Sequence, residues 1–398
     1  MTAGKGTVLG IGVLISAYVL SQFYRAFLSV LTPDLAADVG ATPETLAYAS
    51  GMWFLTFAAM QIPIGWALDT YGPRRPAAIL LLVGGGGGAA LFGMAAAPWQ
   101  IIAAMGLIGI GCAPVLMASY YTFARLYSPA IFATLAASVV GVGSLGNIAA
   151  SVPMVWAAET LGWRASLFAL AGVTAGIAAL IHLLVVDPPK VESETKGSVL
   201  DLLRIPALWF VLPMIFVNYV PAAAIRGSWI GPYGEDVLQL TQGQIGTMTL
   251  VMALAMVLGN FVYGPLDRLL GTRKWVCVAG NFAGALCCAA LWAFPAPGLW
   301  TATLLTAAVG FFGASYAVLM AHGRAFCPPH LTGRAVTLLN MFSIGGVGLL
   351  QFASGGVFRW AEARAATPEA AYSTLFGFFA LLLLAGVAIY AFGRDRTD

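Results

Sequence analysis

Two arginines, Arg25 and Arg226, lie inside long apolar stretches of the sequence, where charged residues are rare. A guanidinium group within a bilayer costs about 2.5–3.5 kcal/mol on insertion scales, so it usually faces a cavity and a partner. Tyr18 and Tyr219 each precede one of these arginines by seven residues, and Gln22 lies three residues before Arg25. Because seven residues make about two helical turns, each tyrosine is expected on the helix face of its arginine. These five residues form the predicted substrate-binding group.

The acidic residues indicate what the two arginines could bind. All 16 Asp and Glu residues lie in polar connections or at the ends of apolar stretches. No carboxylate is therefore placed to neutralise Arg25 or Arg226, and a substrate could supply the missing charge. Arginine binds carboxylate and phosphate groups as a bidentate fork. We predict a small organic anion, carboxylate- or phosphate-bearing, held between Arg25 and Arg226. The alternative is that each side chain extends to the outer headgroups or bonds to backbone carbonyls.

The composition defines the elements that must position these side chains. Of the 398 residues, 60% are hydrophobic and only 9% are charged, whereas soluble domains have about 45–50% and 25%. This excludes a soluble enzyme, a nucleic-acid-binding protein and a disordered chain. A membrane-spanning helix needs roughly 20 mostly apolar residues. The sequence accordingly predicts an all-α membrane protein with twelve transmembrane helices, over residues 7–32, 45–67, 77–97, 99–124, 131–156, 163–186, 206–231, 243–264, 274–295, 299–323, 333–358 and 371–393.

The polar connections predict the domain organisation and the orientation. The longest one, residues 187–205, is interpreted as a cytoplasmic linker between an N-terminal six-helix bundle (1–186) and a C-terminal one (206–398). If both termini are cytoplasmic, the outer loops contain only three of the 17 Lys and Arg residues that lie outside the spans, and the positive-inside rule favours this orientation. We predict a multi-pass protein of a bacterial inner membrane.

The two halves contain matching sequence features. The sequence Val-Leu-Met-Ala at residues 115–118 recurs at residues 318–321, and Trp156 and Trp360 end corresponding spans. The Tyr-Arg pairs repeat with a similar offset. This pattern indicates an internal duplication, and two related six-helix halves around a midplane site are typical of secondary transporters. The predicted bundles are therefore pseudo-symmetric.

A short motif follows the second span of each half. The first copy, residues 65–75, reads GWALDTYGPRR, and the second, residues 264–274, reads GPLDRLLGTRK. Both resemble the G-x-x-x-D-R-x-G-R-R signature of the major facilitator superfamily (MFS), although Thr70 replaces the usual arginine in the first copy. The resemblance implies the MFS fold. An Asp at a helix end can accept bonds from loop arginines and face a helix N-terminus in the other half. We therefore predict that Asp69, Arg74, Asp267 and Arg273 control conformational gating.

The buried arginines also resemble one branch of this superfamily, the organophosphate–phosphate antiporters and related organic-anion transporters. Arg25 precedes Pro33 by eight residues, as the branch pattern requires, and Arg226 precedes Trp229 and a Pro-Tyr pair. The additional lysine in the second helix and histidine in the fifth helix of that branch have no match in this chain. The sequence therefore favours a carboxylate at least as much as a phosphate ester.

Other polar or sulfur-containing residues are weaker candidates. Tyr120, Asn147, Tyr316 and His322 could line the cavity, although polar residues within spans more commonly form interhelical hydrogen bonds. His322 lies near a span end, which favours a solvated or interfacial histidine over a proton relay. Met248, Met252 and Met256 form a stripe on one helix face; such a stripe is more often packing than a Cu(I) site. The five cysteines are interpreted as small buried hydrophobic residues.

These observations predict a secondary active transporter that moves a small organic anion by alternating access. We expect no catalytic group, metal or cofactor, no nucleic-acid partner, and a monomer in the bilayer. A co-transported proton or a counter-anion remains open, so both symport and antiport are possible mechanisms. The alternatives are an exporter of a drug-like compound or metabolite, a copper importer, and a receptor or assembly factor built on the same scaffold.

Overall fold

The structure is a computed structural model that describes residues 5–127, 129–188, 202–328 and 332–397. Most of the predicted linker, and the side chain of Asp69, lie outside this described part. Ten helices are long and apolar enough to cross a membrane, and two further spans consist of bent helix pairs. We number them α1 (Lys5–Phe23, continuing as Phe27–Val39), α2 (Pro43–Leu68), α3 (Arg74–Gly93), α4 (Pro98–Leu126), α5 (Pro129–Ala149, continuing as Val152–Leu161), α6 (Trp163–Leu184), α7 (Leu208–Asp236), α8 (Gln242–Leu270), α9 (Lys274–Ala293), α10 (Leu299–Ala325), α11 (Thr332–Glu362) and α12 (Pro368–Ala391).

These helices confirm the predicted all-α fold class and follow the predicted spans in order, with one difference that matters for function. The first span was expected to be unbroken over residues 7–32, but α1 ends at Phe23 and resumes at Phe27 after a bend of 49°. Tyr24 in this turn packs edge-on against both phenylalanines, and its hydroxyl lies 2.8 Å from the Thr174 hydroxyl of α6. Arg25 therefore lies in a turn that is anchored by aromatic packing.

The chain divides into two compact units, Met1–Ser193 and Glu194–Asp398. In the first unit α1 packs on α5 and α6, α2 on α4, and α3 on α6. In the second unit the corresponding helices pair in the same way: α7 on α11 and α12, α8 on α10, and α9 on α12. The two units are thus pseudo-symmetric in their internal helix packing, as the duplicated sequence features predict.

Glycines permit the closest of these helix contacts. At Gly146 of α5 an added Cβ would overlap the Val19 carbonyl of α1, and at Gly346 of α11 it would overlap the Phe216 carbonyl of α7. Small residues let transmembrane helices approach to backbone contact, which is a main source of their packing energy. The equivalent helix pair is therefore joined by a glycine contact in both units.

Candidate functional site

The guanidinium group of Arg25 is held against aromatic rings and not against a carboxylate. Its Cζ lies 4.9 Å from the ring centroid of Trp53 and 5.2 Å from that of Phe57, one helical turn apart on α2. Such cation–π contacts contribute roughly 0.5–2 kcal/mol each. Within the described part of the chain, Arg25 makes no hydrogen bond or ion pair, and its Nε is buried. The rings therefore support the charge, and the N–H groups remain available to an acceptor.

Further hydrogen-bond donors surround Arg25. The Ser21 hydroxyl and the Trp53 indole N–H are also buried, and the thiol of Cys112 on α4 lies beside both of them and beside Arg25. Apart from this thiol, which is a weak acceptor, neither donor has a hydrogen-bond partner among the described residues. The interior of the first unit thus combines one cation with two neutral donors, a set suited to the oxygens of an anion.

The other predicted residues of the first unit form a neighbouring polar group. The Gln22 amide donates a 3.2 Å hydrogen bond to the Tyr18 hydroxyl. Tyr18 is nearly buried, its ring packs against Gly143 of α5, and it interacts with Tyr120 of α4. Asn147, one helical turn after Gly143, is half-buried. These contacts bring Tyr18, Gln22 and Tyr120 together next to the α1 bend.

Arg226 has a different environment in the second unit. It is 2% exposed and lies in a π-helical turn, Ile225–Trp229, where α7 departs from regular α-helical geometry. Single π-turns within helices occur frequently at functional sites. Arg226 interacts with other groups of the protein. The Arg226 side chain is therefore enclosed by protein groups, which disfavours an extension to the lipid headgroups.

Polar contacts between helices surround this turn of α7. Gln351 of α11 donates to the Ser228 hydroxyl at 2.6 Å, and the Trp229 indole N–H donates to Ser354 at 3.0 Å. The Gln351 Oε1 atom is buried without a hydrogen-bond partner in the described part of the chain. The π-turn is thus fastened to α11 through two consecutive residues, Ser228 and Trp229.

Tyr219 lies at a one-residue break in α7, between the helical segments Leu208–Asn218 and Val220–Ala224. Its ring centroid is 6.1 Å from that of Tyr316 on α10, and the Tyr316 hydroxyl donates to Asn340 of α11 at 2.9 Å. The break also places Asn218, which donates to Asn281 at 2.6 Å. These contacts join α7 to α9, α10 and α11, consistent with the interhelical role expected for polar residues within spans.

The predicted gating residues of the first unit lie at the α2–α3 loop. The backbone N–H of Arg74 donates to Asp187 Oδ1 at 2.9 Å, and its Nε lies 3.5 Å from Asp187 Oδ2. Gly72 has a φ of 81°, and a Cβ at this position would collide with the Asp187 carboxylate. The motif glycine is therefore required both by the turn and by the approach of an acid that follows α6 directly.

The α8–α9 loop of the second unit contains the predicted pair and an additional acid. The Nε of Arg273 donates to Asp267 at 3.1 Å, so the structure brings these two predicted residues together. Asp395, which follows α12, accepts from the Thr272 hydroxyl and from the backbone N–H groups of Arg273 at 3.3 Å and Lys274 at 3.0 Å. Burial acts to raise the pKa of Asp395, but these hydrogen bonds and nearby His322 outweigh it and hold the pKa below its ordinary value.

His322 is fully buried, so its interpretation as a solvated or interfacial histidine is wrong. It packs edge-on against Phe326 of the following turn and against Tyr390 of α12. The chain folds back after α12, and this return covers the end of α10. Hydropathy places His322 near a span end correctly, but it cannot reveal that the residues after α12 shield it.

The sulfur-containing residues have structural surroundings. Met248 and Met252 are fully buried, and Met252 and Met256 pack against Gly310 of α10. This supports packing over a copper site for the methionine stripe. Cys112, Cys277 and Cys288 are buried, and Cys287 and Cys327 are partly buried. No group of three or more His, Cys, Asp or Glu side chains that could hold a metal occurs among the described residues.

The helical bundles, the duplicated loop motif and the buried cationic groups together define a membrane transporter of the MFS type. The sequence profile of the Major Facilitator Superfamily matches residues 14–241, which is more than half of the chain. The protein therefore belongs to the Major Facilitator Superfamily.

This chain is similar to one curated relative and to two solved structures. A probable sulfoacetate transporter, SauU of Cupriavidus necator, is 22% identical, over 78% of this chain and 77% of the relative. The D-xylose–proton symporter superposes with a TM-score of 0.76 at 13% identity, covering 96% of this chain and 97% of the other. A bacterial homologue of the human lysosomal transporter Spinster superposes with a TM-score of 0.73 at 16% identity, covering 96% and 94%. The two structural similarities establish the fold alone.

Proposed function

We propose that the protein is a secondary active transporter for a small organic anion of the carboxylate or sulfonate class, with Arg25 and Arg226 as its anion-binding groups. The observation that carries the proposal is the environment of Arg25. Its guanidinium group rests on Trp53 and Phe57 and makes no hydrogen bond or ion pair within the described part of the chain. Substrate binding would provide the missing acceptor.

The stacking of Arg25 favours anion binding for a geometric reason. Aromatic rings contact the flat face of a guanidinium group, whereas a carboxylate or sulfonate binds along its N–H edge. The two interactions are therefore compatible, and the rings hold the side chain ready for the anion. This pre-organisation reduces the conformational entropy lost on binding.

The chemistry of the neighbouring donors narrows the type of head group. Ser21 and Trp53 add neutral donors beside the single positive charge of Arg25. A fully ionised carboxylate or sulfonate presents only acceptor oxygens, so it can satisfy such a set. A protonated phosphate ester must also donate a hydrogen bond, and the named side chains offer only the Ser21 hydroxyl and the weakly accepting Cys112 thiol for it. The similarity to a probable sulfoacetate transporter supports the same classes, because sulfoacetate carries both head groups.

The remaining predicted residues have supporting roles in this proposal. Tyr18, Gln22 and Tyr219 provide polar groups near the substrate, and Arg226 provides the second cationic group from the other half. Asp69, Arg74, Asp267 and Arg273 control the conformational cycle at the two loops. The protein works as a monomer in a bacterial inner membrane, with both termini in the cytoplasm, by alternating access.

Uptake measurements on arginine variants test this proposal. Vesicles containing the wild-type protein, Arg25→Gln or Arg226→Gln would be given labelled sulfoacetate or malonate, with a neutral diamide as the uncharged probe. We expect uptake of at least one anion by the wild type and at least about 100-fold less by either variant, because a desolvated charge pair is lost.

Arg364→Gln is the matched control for these variants. Arg364 also stacks on an indole, with its Cζ 4.7 Å from the Trp360 ring, but it is exposed and donates to a backbone carbonyl. This variant should transport normally. Wild-type uptake of neither anion, or unchanged uptake by both Arg25→Gln and Arg226→Gln, would contradict the proposed function.

A further inference from the structure

Both ring nitrogens of His322 are engaged in the buried end of the second unit. The Nδ1 atom lies 2.5 Å from the Tyr390 hydroxyl of α12, and Nε2 accepts the backbone N–H of Arg396 at 3.2 Å. The Asp395 carboxylate lies 3.8 Å from the same Nε2. Because a nitrogen that accepts an N–H carries no proton, His322 is neutral here and its proton is on Nδ1. The imidazole thus joins α10 to α12 and to the chain that follows it.

We infer that His322 is a proton-binding site that fastens residues 394–396 to the α8–α9 loop when it is neutral and releases them when it is protonated. We call His322, Tyr390, Asp395 and the Arg396 N–H the histidine latch. The inference does not depend on the proposed anion site, because all four groups belong to the second unit and none contacts Arg226 in the interactions described above.

Protonation changes the hydrogen bonds in a defined way. When Nε2 gains a proton it becomes a donor, so it can no longer accept the Arg396 N–H, and the two donors then oppose each other. The new N–H faces the Asp395 carboxylate, with which it can form an ion pair. Asp395 also accepts from Thr272 and from the backbone of Arg273 and Lys274. A proton on His322 therefore competes with the α8–α9 loop for the same carboxylate.

The charged and titratable groups around His322 identify it as the responsive one. The α8–α9 loop brings Arg273 and Lys274, α9 brings Cys277 beside Tyr390, and the residues after α12 bring Arg394, Asp395 and Arg396. On the described part of the facing helices, α7 and α11 pack here with Ile215 and Leu339, which carry no charge. Histidine is the residue type among these that first gains a proton as the pH falls below neutral.

The first unit contains the same capping acid without a histidine. Asp187 follows α6 as Asp395 follows α12. Asp187 accepts the backbone N–H of Arg74 at the start of α3, and Asp395 accepts that of Lys274 at the start of α9. The residue that corresponds to His322 after the repeated Val-Leu-Met-Ala is Ser119, whose hydroxyl bonds to Val115 of its own helix. The proton-responsive element is therefore specific to the second unit.

Histidine NMR and hydrogen exchange on the purified full-length protein test the latch. The chain has three histidines, so His182→Gln and His330→Gln assign the signals of ¹⁵N-labelled His322. Because burial disfavours the charged ring, we expect the Nδ1–H tautomer at about pH 8 and the doubly protonated ring only below the ordinary histidine range, at about pH 4. Over the same range, exchange of the backbone amides at 273–274 and 396, corrected for intrinsic rates, should rise about tenfold, which corresponds to one lost hydrogen bond.

Two variants make the result decisive. His322→Gln should abolish the pH-dependent rise in exchange, whereas Asp187→Asn in the first unit should leave it unchanged. An Nε2–H tautomer at about pH 8, or the same rise in His322→Gln as in the wild type, would overturn the inference. If His322→Gln does not fold, the tautomer and the protonation of the wild-type ring decide it alone. None of these measurements uses uptake by Arg25→Gln, so the latch can be tested even if the proposed anion site is wrong.

Discussion

The two halves of the molecule hold their membrane-embedded arginines in different ways. Arg25 lies in a turn of the bent α1 and rests on two aromatic rings, with no polar partner among the described residues. Arg226 lies in a π-turn of α7, is almost completely buried, and interacts with groups of the protein. The two halves thus share the position of the charge but not its surroundings. Under the proposed function, Arg25 of the first half would be the more available of the two anion-binding groups.

The same contrast occurs at the loop ends of the halves. Each half places an aspartate directly after its last helix and uses it to accept backbone N–H groups of the motif loop. Only the second half adds a buried histidine to this aspartate, and a serine occupies the corresponding place in the first half. A shared structural element thus carries a titratable group in one copy alone.

Neutralising the two capping aspartates gives the largest expected effect on stability. Asp395→Asn removes an anion that accepts three hydrogen bonds, so it should lower the free energy of unfolding of the second half by about 1–3 kcal/mol. Asp187→Asn should cost less, because Asp187 accepts one backbone bond and pairs with a half-exposed Arg74. Chemical unfolding of both variants measures the difference. Equal decreases in the free energy of unfolding would contradict the predicted difference between the two aspartates.

The pH dependence of the Asp395 effect has a definite sign. Because its pKa is held below the ordinary value, Asp395 stabilises the fold fully above that ordinary value and loses its effect as the pH falls through the folded-state pKa. Between neutral pH and about pH 5 the Asp395 contribution should therefore stay constant. A change in latch stability over that interval therefore does not come from Asp395.

Removing a single donor beside Arg25 gives a smaller expected effect. Trp53→Phe keeps an aromatic ring under the guanidinium group but deletes the buried indole N–H. If this N–H helps to hold the anion, binding should weaken about three- to tenfold, the value of one neutral hydrogen bond. Phe57→Leu is the matched change that deletes no donor. Titration of the purified variants compares them, and identical affinities would restrict the anion contact to Arg25 itself.

Much of the fold could be predicted from the sequence, because the spans are long, apolar and separated by charged or Pro- and Gly-rich connections. The bends at Tyr24–Ala26 and in α7 could not, since a run of apolar residues has the same hydropathy whether or not the helix is continuous. The stacking of Arg25 on Trp53 and Phe57 left a partial signal, an aromatic pair four residues apart. The contact between this aromatic pair and Arg25 of α1 depends on how the helices pack, which a local sequence pattern does not determine.

The loops were partly predictable for a related reason. The Asp267–Arg273 pair lies within one motif, so its spacing in the sequence predicts the contact that the structure contains. Asp187 and Asp395 lie more than 100 residues from the loops that they contact. Their equivalent positions after the last helix of each half could have indicated a shared role. Asp187 was instead assigned to the predicted linker, 187–205.

The central claim is that Arg25 binds the anion, and direct ligand binding by purified full-length protein tests it most directly. Thermal unfolding would be followed with sulfoacetate, malonate or the neutral diamide, for the wild type, Arg25→Gln and Arg364→Gln. A ligand present at about 100 times its Kd stabilises the folded protein by about 2.7 kcal/mol. We expect stabilisation of the wild type and Arg364→Gln by at least one anion, and no stabilisation of Arg25→Gln. Equal stabilisation of Arg25→Gln would contradict it.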